Sequence, residues 1–289
     1  MSGSLAATLP GGYWVGGTCH RDAELRELTG ADQIFLMEEA ASLPLAQWTT
    51  EVLTRCLTRL GHGKPVTRDA VRSLIAGDRE ALLLHLRRVT MGDRLPCVLM
   101  CPAPECGHTL DFELHVSDLL LAPGSEAPTR HELAIPQANA GYVVRFRLPT
   151  GADQEAAALV ARTDPAAAAD LLRRRCVESV DSTDGAPTER FPAALEEPLS
   201  ARMAELDAQA ELSLNVTCSV CGGAFTTVFD AASYLFQELQ AGMRHLDREV
   251  HLLAYHYHWG PSEILAMTPR RRRHYLQLLE EELAQGAGG

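Results

Sequence analysis

Two pairs of cysteines form the residue pattern in this chain that most clearly implies chemistry. Cys101 and Cys106 enclose the turn in "CPAPECG", and Cys218 and Cys221 enclose the turn in "CSVCGG". A loop of two or four residues folds back so that both sulfurs face one point. The glycine after each pair, Gly107 or Gly222, supplies the positive φ that such a turn needs. One knuckle offers two thiolates and a tetrahedral zinc takes four, so Cys101, Cys106, Cys218 and Cys221 together are expected to hold one structural Zn2+. A closed four-sulfur site has no position for water, and its metal would hold structure without catalysing. A redox pair would open a helix in a thioredoxin-like setting, whereas both pairs here stand between strand patterns. His108 is a possible substitute ligand that a complete cysteine set makes unnecessary. Cys19, Cys56, Cys97 and Cys176 have no partner at ligand spacing and are expected in the core as small hydrophobes.

Short strands must hold each knuckle. "RLPCVLM" and "TLDFELHV" flank the first, and Leu110, Phe112, Leu114 and Val116 alternate with polar residues as a half-buried strand does. "ELSLNVT" and "AFTTVFD" flank the second. Set side by side, "VLMCPAPECGHTLDFELHVSDLL" and "SLNVTCSVCGGAFTTVFDAASYL" repeat one order: strand, two cysteines, glycine, strand, aspartate, apolar helix start. Cys106 and Cys218 are separated by 111 residues, so the reading is a zinc ribbon split by a long insertion.

Helical periodicity dominates the rest. Residues 1–94 read as a Gly- and Pro-rich extended arm, a possible edge strand "CHRDAELREL", and then helices. Thr29 with Asp32 makes a capping box before "ADQIFLMEEAASL", and "AQWTTEVLTRCLTRL" continues the helical spacing until "GHGKP" breaks it. Two more helices are expected, capped at Thr67 and at Asp78. Residues 95–120 form the first knuckle hairpin. Residues 121–210 form an insertion with a strand "YVVRFRLP", a second capping box at Thr150 and Asp153, a helix break at Asp164-Pro165, and a mobile linker near 178–195. Residues 211–230 form the second hairpin and 231–289 a helical docking region. The fold class is α+β, mainly helical.

In that last region a long helix ends near Gly260-Pro261, a short helix is capped by Ser262, and a final helix starts with Thr268 as cap and Pro269. His251, Tyr255 and His258 read as the polar edge of an aromatic face with Trp259. Arg270, Arg271, Arg272 and Arg273 stand at the positive end of the final helix and Glu280, Glu281 and Glu282 at its negative end, the reverse of what the macrodipole favours. None of the arginines has an acidic i+4 neighbour, which points to a partner outside the helix. Trp259, Tyr275 and the four arginines are therefore candidate partner-binding residues, of the types that dominate interface energies.

Formal net charge is −12, which opposes general affinity for nucleic acid or anionic membrane. No apolar run is long enough to span a bilayer, and no secretory signal opens the chain. Bacterial cytoplasm is the expected location. No phosphate loop, activated nucleophile or paired-carboxylate motif argues for an enzyme.

Four blocks in order, "GDREALLLHLRR", the first cysteine pair, "CSVCGGAF" before "FDAASYLFQEL", and "YHYHWGPSEILAMTPRRRRHYLQLL", resemble the baseplate and hub-assembly proteins of contractile phage tails and phage-tail-like injection systems. The resemblance covers residues 11–120 and 205–284 and leaves 121–204 unmatched. It implies a non-enzymatic zinc-ribbon protein of a baseplate, with other baseplate, hub or spike proteins as partners. The alternative is a zinc-ribbon regulatory protein binding nucleic acid through a helix-turn-helix formed by the last helices.

Overall fold

The computed structural model describes residues 4–61, 65–124, 129–136, 141–184 and 191–286. The amino-terminal segment is built into a sheet. Strand β1 (Ser4–Val15) pairs antiparallel with β2 (Thr18–Arg26), and β2 pairs again with β3 (Leu57–Leu60). The arm is therefore a strand, and "CHRDAELREL" supplies the centre of the sheet, not its edge. Its third strand was concealed in what reads as a helix tail. Helix α2 (Leu45–Cys56) stops at Cys56, Leu57 turns extended, and Arg59 pairs with Asp22 and Glu24 on β2.

Between β2 and β3, Thr29 caps α1 (Gly30–Ile34) with the reciprocal Asp32 bond, and a π-helical turn (Phe35–Glu39) continues it. Trp48 on α2 is fully buried and donates from Nε1 to the Leu36 carbonyl at 3.2 Å. Thr67 caps α3 (Arg68–Ser73) as expected. Helix α4 (Ala76–Met91) begins two residues before Asp78, so Asp78 is not its cap. The Asp78 carboxylate instead accepts from Gly11 N at 2.8 Å and Gly12 N at 3.0 Å, pinning β1 to α4.

The first knuckle lies between β4 (Arg94–Met100) and β5 (Thr109–His115), followed by α5 (Val116–Leu119). A second three-stranded sheet comes next, ordered β6 (His131–Ile135), β7 (Tyr142–Phe146), β8 (Val177–Ser182). Helices α6 (Gly151–Ala161) and α7 (Pro165–Cys176) join β7 to β8, with Asp164 capping α7. Within the linker expected near 178–195, residues 178–182 lie in β8 and Leu195 is buried. Only 185–190 lie outside the described residues. Its polar composition is that of an exposed edge strand, which loop statistics do not distinguish from a loop.

Helix α8 (Glu196–Leu206) leads to the second knuckle between β9 (Leu212–Thr217) and β10 (Ala224–Phe229). Asp230 caps α9 (Ala231–Tyr257). Short α10 (Pro261–Leu265) is preceded by Gly260 as cap, not Ser262, with Glu263 accepting from Gly260 N at 2.9 Å. The last helix is α11 (Pro269–Gly286).

The chain is one unit used twice. Each copy has a three-stranded antiparallel sheet with helices between its second and third strands and then a knuckle hairpin; α3 and α4 precede the first hairpin and α5 follows it, whereas α8 precedes the second and α9 to α11 follow it. The pentapeptide TGADQ follows the central strand both times, at Thr29–Gln33 and Thr150–Gln154. In each, an arginine six residues before the aspartate grips its carboxylate twice: Arg26 on Asp32 at 2.6 and 3.1 Å, Arg147 on Asp153 at 2.5 and 3.0 Å. Burial alone would raise the Asp153 pKa, but Arg147, Thr150 and Arg175 hold it far below the carboxylate range. Asp32 is lowered in the same way by Arg26 and Thr29. Each second helix ends in Arg-Cys, at Arg55-Cys56 and Arg175-Cys176, and the third strand follows at once.

Glycine in TGADQ admits a helix pair. Gly30 N donates to Met267 O at 3.1 Å and Gly151 N to Leu74 O at 2.9 Å. Five residues beyond each acceptor stands a buried arginine, Arg272 or Arg79, where a glycine Cβ would crowd it. Thus α3–α4 of the first unit covers the second unit's motif, and α10–α11 covers the first unit's. One large core binds the halves, running from Ala7 and Leu9 through Trp48 and Leu82 to Phe229 and Leu239.

Candidate metal centre

Each knuckle is closed by the same local bonds. Cys101 N donates to His108 O and Cys218 N to Gly223 O, both at 2.9 Å. Gly107 has φ 53° and Gly222 φ 70°, with open space around both, so conformation and not crowding requires glycine there. Gly223 N approaches Cys221 Sγ at 3.4 Å, an amide aimed at a sulfur.

The two knuckles meet. Cys101 Sγ lies 3.7 Å from Cys221 Sγ, and Cys106 Sγ lies 3.8 Å from Cys218 Sγ, with all four sulfurs within 4.8 Å of one another. The pairing is crosswise, first cysteine of one knuckle to second of the other. A Zn–S bond of about 2.3 Å places tetrahedral sulfurs about 3.8 Å apart, so the spacing fits an ion of that size. Leu110, Phe112, Val216 and Phe225 pack around the sulfurs, while Cys221 reaches the surface.

Four thiols this close do not titrate independently. Amides of Cys221 and Val220 draw Cys218 down to about 6, whereas Cys101 is driven up to about 12: the Ala103 amide favours its thiolate, but burial and the neighbouring sulfurs outweigh it. A divalent cation would stabilise all four thiolates at once. Soft sulfur donors in a tetrahedron suit zinc or iron and disfavour magnesium or calcium.

The other cysteines fall mainly as expected, with Cys56, Cys97 and Cys176 buried and Cys19 only half-buried, its sulfur 3.7 Å from Gly11 O. His108 is exposed and takes no part in the sulfur cluster.

The structure divides the carboxy-terminal candidates. Trp259 stacks on Tyr257 at 4.7 Å and meets Tyr275 edge-on at 4.8 Å. Tyr257, not Tyr255, thus completes the aromatic face; Tyr255 is 69% exposed and rests on His251 and His256. Arg270, Arg271 and Arg273 are exposed. Arg271 lies over the Tyr275 ring at 4.8 Å and donates to its hydroxyl at 2.6 Å. Arg272 is turned inward and only 1% exposed. It donates to Glu249 Oε2 at 2.7 Å, Met267 O at 2.8 Å and Gln33 Oε1 at 2.9 Å. Its partner outside the helix is another part of the same chain, so it cannot serve at a docking face.

Sequence reasoning missed the polar groups that join the two units. Gly77 N donates to Asp207 Oδ2 at 2.9 Å, and Glu155 accepts from Thr50 Oγ1 at 2.6 Å and from Arg72 Nε at 2.9 Å. Burial pushes Asp78 up to about 7 and Asp207 up to about 6, each partly offset by amide donors. The repeated TGADQ was the available signal for the duplication.

The family described as T4 bacteriophage base plate protein matches residues 20–237. The chain belongs to that family. The matched span contains both knuckles and extends across 121–204. It ends within α9, before Trp259 and the arginines. Searches of curated proteins and of solved structures find no match. Among the described residues no helix is long and apolar enough to cross a membrane.

Proposed function

We propose that this baseplate-family protein is a non-enzymatic structural or assembly component of a contractile, phage-tail-like injection system, locked by one structural Zn2+. The convergence of Cys101, Cys106, Cys218 and Cys221 carries the reading. A closed sulfur tetrahedron tying two units together suits a rigid adaptor and offers no coordination position for a substrate. Its partners are other baseplate, hub or spike proteins. They meet the carboxy-terminal region through Trp259, Tyr275, Arg270, Arg271 and Arg273, and assembly takes place in the bacterial cytoplasm.

The nucleic-acid reading keeps three outward arginines where the sequence offered four, on a chain of net charge −12. Elemental analysis of the purified chain, joined to affinity isolation from the native cell, tests the proposal. One zinc per chain and recovery of baseplate proteins are expected. A metal-free folded chain sinks the zinc assignment, and recovery of transcription or translation factors alone sinks the baseplate role.

A further inference from the structure

Helix α11 presents its charges in an order its own macrodipole opposes, arginines first and glutamates last. Arg272 is explained internally by Glu249 and Gln33. Among the described residues, Arg270, Arg271 and Arg273 pair with no carboxylate, and Glu280, Glu281 and Glu282 pair with no cation.

The placement of these charges has a symmetry. With about 100° per residue, Arg271 and Glu282 fall within about 20° of one another around the helix, and so do Arg273 and Glu280. Arg272 and Leu279 face inward, which leaves these two columns as the flanks of the outward face. Between them lie His274, Gln277, Leu278 and Glu281, all exposed, Leu278 by 38%. Both Arg–Glu pairs share one midpoint, between Leu276 and Gln277. Turning a copy of the helix antiparallel about that point brings Arg271 opposite Glu282 of the second copy and Arg273 opposite its Glu280. The same relation holds in reverse. The carboxylates then stand beside the positive end of the neighbouring helix, and Leu278 of each copy lies near the centre.

We infer that the outward face of α11 is a self-association surface, on which a second copy of this chain packs antiparallel through reciprocal Arg271–Glu282 and Arg273–Glu280 pairs. The inference rests on the reading of the carboxy-terminal helices as a docking region and names what docks. Exposed ion pairs contribute modestly one by one, so the association should be weak and salt-sensitive.

Sedimentation equilibrium of the full chain with its metal tests this. The wild type should dimerise, with affinity falling at least about tenfold between about 50 mM and about 500 mM salt. A variant carrying Arg271→Glu and Arg273→Glu, and one carrying Glu280→Arg and Glu282→Arg, should each be monomeric and folded by circular dichroism. Mixed, they should form a heterodimer, because all four pairs then join opposite charges, two with the native polarity and two reversed. A monomeric wild type overturns the proposal, as does a dimer indifferent to both reversals or folded variants that fail to associate on mixing. A monomer that still isolates baseplate proteins refutes only the self-pairing, whereas a dimer that isolates none refutes only the baseplate role. A monomer that retards duplex DNA through these arginines replaces the proposal with the nucleic-acid reading.

Discussion

Replacing Arg272 by methionine separates a structural arginine from its three surface neighbours. The side chain is 2% exposed, and its three donors end on Glu249, Met267 and Gln33. Methionine fills much of the volume but leaves the Glu249 carboxylate and the Gln33 amide oxygen without this donor. Removing one member of a buried pair costs about 3–5 kcal/mol. The Glu249 side chain is 18% exposed and regains some hydration, which lowers the expected loss to about 2–4 kcal/mol. For a chain of this size that corresponds to a fall of about 4–8 °C in Tm. Arg273→Met, at an exposed site, should change stability by less than about 0.5 kcal/mol. Melting followed by far-ultraviolet circular dichroism on both variants provides the comparison. Equal Tm values for Arg272→Met and Arg273→Met would refute the claim that Arg272 ties α11 to α9 and α1.

Cys218→Ser should release the metal and, by hydrogen exchange, lower protection in β4–β5 as well as β9–β10; loosening of the second hairpin alone would mean that the knuckles do not share an ion. Asp78, raised to about 7 by burial, is more protonated when folded than when unfolded, so its contribution is fully present below about pH 4 and lost as pH rises through 7. Urea midpoints should show the penalty of Asp78→Asn shrinking between pH 5 and pH 8, and a penalty constant over that window would mean the carboxyl is ionised throughout. His85, lowered to about 4 by burial, acts in the opposite sense, adding stability as pH rises from about 4 to 6.5, so variant and wild type must be compared at each pH. Gly77→Ala should destabilise by about 2 kcal/mol because its Cβ would overlap the Asp207 carboxylate. Gly242→Ala, inside α9 with open space around it, should stabilise by about 0.5–1 kcal/mol, and denaturant curves that reverse this order would contradict the packing described.

Signals that depend on a few neighbouring residues were legible in the sequence. Both capping boxes, the helix break at Asp164-Pro165 and the positive φ of Gly107 and Gly222 depend on residues three or four apart, and each is where the pattern puts it. The expected four-sulfur cluster also forms, because a knuckle presents its two sulfurs by local geometry and the second copy was visible as a repeat. Strand β3 illustrates the opposite case. Leu57 and Leu60 fit helical spacing as well as a short bulged strand, and only pairing with β2 decides between them.

What the sequence determined alone is the inventory: two knuckles, the caps, the acidic balance, and an α11 with opposed charge blocks. What the tertiary structure decided is who meets whom across long separations. Arg272 finds Gln33, Asp78 finds Gly11 and Gly12, and each TGADQ glycine accepts a helix pair from the other unit. Local patterns report backbone preference and side-chain periodicity, which act within one element. Whether an arginine faces water or a buried carboxylate depends on packing between elements, and that is fixed only once both units have closed around their common core.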